Sequence, residues 1–154
     1  MDSFSFFVPG EPITEGSTRA FASGQRVVVT HDRGASLTAW RLAVKDAALK
    51  AAREAGWEPR YDGPVRVTVT FYLPRPKSVP ESRYWPHVKP DLDKLLRAIG
   101  DALAPYRQVG VLCEDSRIVE WTARKLYDQT PGAWVCITRC VPPRELDPDE
   151  AVAA

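Results

Sequence analysis

The chain has 154 residues, 44% of them hydrophobic, five tryptophans and a formal charge of +1. That length supports one domain with a real core and leaves no room for a second. No apolar run reaches about 18 residues and no charged-then-apolar leader is present, which argues against membrane insertion or secretion and for the cytoplasm.

Three cysteines, an odd number, argue against a disulfide framework, and Cys113, Cys136 and Cys140 are expected to be buried, reduced thiols. His31 and His87 lie in unrelated contexts, so nothing completes a zinc site or gives a serine hydrolase its base.

Residues 3–8 read as a first strand, followed by a Gly/Pro/Ser-rich loop carrying Arg19 and a short strand at residues 26–30. Ser36 is placed to cap a helix running to Ala55, with Leu37, Trp40, Val44, Ala47, Ala48 and Ala51 on one face and Gly56 as its stop. Next, Val65, Val67, Val69, Phe71 and Leu73 alternate with Arg66, Thr68, Thr70 and Tyr72, the pattern of a strand with one core face and one polar face. Residues 74–90 then carry five prolines among Arg75, Lys77, Arg83, Tyr84, Trp85, His87 and Lys89. Proline by itself indicates a stiff surface connection. Basic residues interleaved with aromatics suit a surface that grips a nucleic-acid backbone and stacks on bases.

The run Lys89-Pro90-Asp91-Leu92-Asp93-Lys94-Leu95-Leu96-Arg97-Ala98-Ile99-Gly100-Asp101-Ala102-Leu103 opens the second helix. At about 100° per residue, Leu92, Leu95, Leu96, Ile99, Ala102 and Leu103 form one arc, and Asp91, Asp93, Lys94, Arg97 and Asp101 the opposite one. Asp91 is expected to cap the helix by accepting a backbone N–H, and the positive end of the helix dipole favours ionised Asp91 and Asp93. Two carboxylates at a helix mouth suit a divalent cation; a solvated face with ordinary i,i+4 pairs is the plainer reading.

Downstream, the apolar run Val111-Leu112-Cys113 leads into Glu114-Asp115-Ser116-Arg117, which supplies a third acidic position able to fold back beside the helix. Strands follow at residues 118–128 and 133–141, joined at Gln129-Thr130-Pro131-Gly132 as a hairpin. The element order predicts an α+β, two-layer fold, a mixed sheet with two helices packed on one face. The domain is expected to span residues 1–141, and the proline-rich acidic tail at 142–154 to be disordered. Without that tail 20 basic residues face 16 acidic ones, a net charge of +4 that is better suited to phosphate than +1 suggests.

Lys-Pro-Asp-x-Asp, an apolar helix ending in Asp101-Ala102-Leu103, an acidic residue followed by Asp115-Ser116, and a lysine on the next strand together resemble the RusA family of Holliday junction resolvases, of a phage or prophage type. The resemblance is strongest over residues 89–125. It implies that Asp91, Asp93 and Asp115 hold metal, with Arg97 and Lys125 completing the catalytic set. This chain has Lys94 where the family usually has Asn, Arg97 where it has Lys, and Glu114 where a further Asp is common. An arginine preserves charge beside a phosphate but cannot give up a proton.

Three carboxylates without histidine or thiolate favour Mg2+ or Mn2+. The implied activity is metal-dependent cleavage of four-way junction DNA by paired symmetric nicks in recombination and repair, with no nucleotide cofactor, in a bacterial or phage-infected cell. Arg19, Arg75, Lys77, Lys89, Lys94 and Arg117 are the expected DNA contacts. A two-fold symmetric substrate is matched most simply by a homodimer. The alternative is a non-catalytic DNA-binding or metal-stabilised module of the same fold; an EF-hand is excluded by Leu95 and Leu96 at loop positions that need a ligand and a glycine.

Overall fold

The computed structural model describes residues 2–16, 19–23, 26–30 and 34–142. In chain order the elements are β1 (Ser3–Pro9), β2 (Arg19–Ser23), β3 (Arg26–Thr30), α1 (Gly34–Glu54), β4 (Val65–Leu73), α2 (Leu92–Leu103), a 3-10 turn (Asp115–Arg117), β5 (Ile118–Tyr127) and β6 (Gly132–Arg139). The main sheet runs β1-β6-β4-β5, and β2 and β3 form a separate antiparallel pair. Both helices join the core on one face of that mixed sheet, as the element order predicts.

The alternation in β4 makes it the central strand. Val65, Val67, Val69, Phe71 and Leu73 are all buried, each contributing about 1.5–3 kcal/mol of transfer free energy. In register, Val67 faces Ile137, Val69 faces Val135 and Phe71 faces Ala133, and Phe4, Phe6 and Val8 extend those rows from β1. Trp40, Val44, Ala48 and Ala52 of α1 and Leu95, Ala98, Ile99, Ala102 and Leu103 of α2 cover them.

The hairpin expected at residues 129–132 does not form. β5 pairs parallel with β4, and β6 pairs antiparallel with β4 on its other side. The reason is the crossover: a helix between β4 and β5 favours a parallel neighbour, which leaves the opposite flank of β4 open for β6. The chain crosses the end of β4 on the way, where Asp128 N–H donates to Leu73 O at 3.0 Å.

Two boundaries also differ. The segment assigned to a loop at Arg19 is strand β2, and α1 begins at Gly34, with Ser36 exposed in its first turn. The end of α1 is as expected: Gly56 has φ 71°, its N–H reaches Arg53 O at 3.1 Å, and Trp57 N–H reaches Ala52 O at 2.8 Å, a helix stop that needs a residue free to adopt positive φ. The three cysteines are free, but half-buried rather than buried. Of the expected tail, only Pro142 lies among the described residues.

Candidate active site

The amphipathic pattern of α2 turns its apolar arc into the core and leaves a polar stripe outward. Asp91 occupies the N-cap position in an extended conformation but makes no side-chain capping bond. Its carboxylate lies 3.3 Å from Lys94 Nζ, so the expected backbone cap is replaced by an ion pair one turn on.

Along the outward stripe, Asp93, Arg97 and Asp101 follow at spacing four, which stacks them on one side of the helix. With Asp115, Leu96, Gly100, Ile118 and Trp121 they line an open cavity of about 360 Å3. Gly100 faces β5 here: a Cβ built on it would make ordinary van der Waals contact with the Trp121 ring, at 3.7 Å. Asp101 is half-buried, and burial pushes its carboxyl above the ordinary range; the charge and hydrogen bond of Glu15 and the charge of Asp115 push the same way, while Arg41 opposes them. Arg41 Nη1 lies 3.1 Å from Glu15 Oε2 and 3.9 Å from Asp101 Oδ2.

Asp115 reaches this cavity from the 3-10 turn after Val111 and Leu112, which are both buried. Tyr61 N–H donates to Val111 O at 2.9 Å and Cys113 N–H to Tyr61 O at 3.1 Å, so residues 111–113 lie along segment 60–62. Asp62 then accepts from Cys113 Sγ at 2.9 Å and from Arg117 Nε at 2.7 Å. The thiol and then the guanidinium hold the Asp62 carboxyl below the ordinary range, and the same hydrogen bond pushes the Cys113 thiol up.

Lys125 sits on the helix-facing side of β5, in register with Phe71. Its ammonium donates to Val88 O and Pro90 O, both at 2.7 Å. It therefore grips the loop immediately before Asp91.

Of the residues singled out in the sequence, Asp93, Arg97 and Asp115 share one cavity. Asp91 stands outside its lining, at the helix mouth. Asp101 and Trp121 were not among the expected site residues; the four-residue spacing from Asp93 through Arg97 was the available signal for Asp101, and Trp121 had none.

The expected DNA contacts divide. Lys77 and Lys89 are exposed. Arg75 is half-buried, donates to Arg83 O at 3.0 Å and lies over the Tyr127 ring. Lys94 pairs with Asp91 and Arg117 with Asp62, and the side chain of Arg19 lies outside the described residues. Tyr84 and Trp85 are exposed, and with Pro80, Ser82, Arg83 and His87 they line a shallow cavity on the loop before α2.

Among the described residues no three acidic, histidine or cysteine side chains come together as a group that could hold a metal ion. The donor chemistry nonetheless fits a hard cation: Asp93, Asp101 and Asp115 offer only oxygen, in an open cavity with room for the waters that Mg2+ keeps.

Carboxylates and a guanidinium around one open cavity are equipment for phosphoryl transfer. Residues 9–138 match the family model described as Endodeoxyribonuclease RusA, and the chain belongs to the RusA endodeoxyribonuclease family. Membership implies endonuclease activity of the Holliday junction resolvase kind and binding of junction DNA. The chain is also similar to a Bacillus subtilis (strain 168) protein described as "Uncharacterized protein YqaN", 29% identical over 147 residues that cover 89% of this chain and 96% of the relative. No helix among the described residues is long and apolar enough to cross a membrane.

Proposed function

We propose that this protein is a Mg2+- or Mn2+-dependent endonuclease that resolves four-way DNA junctions by symmetric nicks, as a homodimer in the cytoplasm of a bacterial or phage-infected cell. The observation that carries the reading is the single cavity lined by Asp93, Arg97, Asp101 and Asp115. Asp93 and Asp115 are its metal-holding residues, Asp91 contributes from the helix mouth, and Asp101 backs them from the half-buried end of the stripe.

The bound cation supplies Lewis acidity toward a phosphoryl oxygen and lowers the pKa of water. The chain's own residues supply position and charge. Arg97, one turn from both Asp93 and Asp101, presents a fixed positive charge to the scissile phosphate. Lys125 contributes by holding the backbone that enters Asp91. Exposed Lys77 and Lys89 on the loop before α2 supply the basic approach to phosphate. Tyr84 and Trp85 on the same loop are available for base stacking.

The test is a labelled synthetic four-way junction incubated with Mg2+, Mn2+ or EDTA. Paired nicks with either metal and none with EDTA support the reading. Cleavage of linear duplex at the same rate removes the resolvase assignment and leaves a nuclease; an intact junction under all conditions leaves a binding module.

A further inference from the structure

Asp115 stands between two residues that one side chain holds. Arg117 Nη1 lies 3.4 Å from Glu114 Oε2 and 3.1 Å from Ser116 Oγ, and Ser116 Oγ donates to Glu114 Oε2 at 3.1 Å. The other two guanidinium nitrogens, Nε and Nη2, both reach Asp62 Oδ1 at 2.7 Å. That same oxygen accepts from Cys113 Sγ at 2.9 Å. One carboxylate oxygen thus ties down the residues two before and two after Asp115.

Segment 60–62 gives the tie a firm base. The Tyr61 ring packs on Trp57 at a centroid distance of 4.9 Å, and Arg139 lies over the Tyr61 and Trp57 rings at 4.8 and 4.5 Å. Trp57 is a member of the buried core.

We propose that Asp62 and Arg117 are positioning residues for Asp115: a brace that fixes the direction in which its carboxylate faces Asp93 and Asp101. Arg117 acts through Asp115: each of its three nitrogens has a partner within the chain, and because Nη2 keeps a second N–H, contact with phosphate is the rival role that the experiment separates. The inference rests on reading the cavity as a metal site. It does not rest on global stability: the Asp62 side chain is 74% exposed, and exposed ion pairs add little to folding. Removing the brace therefore leaves the fold intact and frees the turn.

The experiment is calorimetric titration of MnCl2 into the metal-free full chain, without DNA, for wild type, Asp62→Ala, Arg117→Ala, the double variant and Arg117→Lys. Thermal midpoints are measured alongside, and junction affinity is measured in EDTA across a salt series. The brace predicts Mn2+ affinity lower by about tenfold or more in each single variant, the usual cost of removing an outer-shell partner. The double variant falls no further than either single, because the two residues act as one unit. Arg117→Lys does not restore affinity, since an ammonium lacks the fork that spans Asp62, Glu114 and Ser116. Thermal midpoints and junction affinity stay at wild-type values.

Single variants within about twofold of wild type, the scatter of uncoupled sites, overturn the brace. So does an Arg117→Ala protein that loses junction affinity and about one unit of salt slope while Asp62→Ala binds normally, because that is a phosphate contact. A wild-type protein that takes up no Mn2+ overturns the metal reading itself, and the brace with it.

Discussion

The ammonium of Lys125 donates to the carbonyl oxygen of Pro90 at 2.7 Å, so strand β5 holds the peptide unit that leads into Asp91. A second bond of the same length to Val88 O completes the grip. Hydrogen bonds from a charged donor contribute about 1.5–3 kcal/mol each, enough to order a short loop without governing the whole fold. Lys125→Met is expected to raise amide exchange in residues 87–93 while β4 and β6 stay protected, and to slow junction cleavage with junction affinity unchanged. Unchanged exchange in that segment contradicts the positioning role; reduced affinity instead makes Lys125 a phosphate contact.

Asp93→Asn and Asp115→Asn each remove a negative oxygen from the cavity, and Asp91→Asn removes one from the helix mouth. All three variants are expected to lose cleavage and to bind junctions as well as wild type or better, because less negative charge faces phosphate. Single-turnover cleavage with Mg2+ and gel-shift binding in EDTA separate the two effects. Wild-type cleavage by any one variant removes that residue from the metal-holding set; Glu114→Gln is expected to be milder than all three.

Arg97 distinguishes chemistry from surface pairing. If it faces the scissile phosphate, Arg97→Lys keeps substantial activity and Arg97→Ala loses about a hundredfold or more, the scale of one missing transition-state donor. A mere pair with Asp93 or Asp101 along the helix is worth about 0.2–0.5 kcal/mol, and alanine then barely changes the rate. The residue lies on the exposed arc, so circular dichroism is expected to show intact folding in both variants.

Asp101 carries a pH signature in the metal-free protein. Its carboxyl is pushed above the ordinary value of 3.8, first by burial, so the unfolded chain gives up this proton at lower pH than the folded one. Below 3.8 both states are protonated and the group is neutral in its effect; as pH rises through the folded value the ionised group increasingly disfavours folding. Asp101→Asn is expected to raise the thermal midpoint in EDTA at pH 7 and to lose that gain toward pH 3. A gain that is constant with pH assigns the effect to packing and not to charge.

Local periodicity made much of the fold legible in the sequence. The alternation from Val65 to Leu73 and the apolar arc from Leu92 to Leu103 each report which face is buried, because side-chain direction repeats every two residues in a strand and every 3.6 in a helix. Asp93 and Arg97 were readable for the same reason, and the run at Glu114-Asp115 by its resemblance to a family motif.

Strand order and side-chain partners were decided by the tertiary structure. Whether β6 pairs with β5 or with β4 depends on where α2 carries the chain, a long-range outcome that the turn residues 129–132 do not encode. Asp91 and Asp101 are similar as letters on one helix. Burial against α1 and the approach of Trp121 draw Asp101 into the cavity, while Lys94 holds Asp91 at the mouth. The sequence offers Arg117 as a DNA contact and Lys125 as part of the catalytic set; in the folded chain, Asp62 and the Pro90 carbonyl are brought within hydrogen-bond reach and engage both.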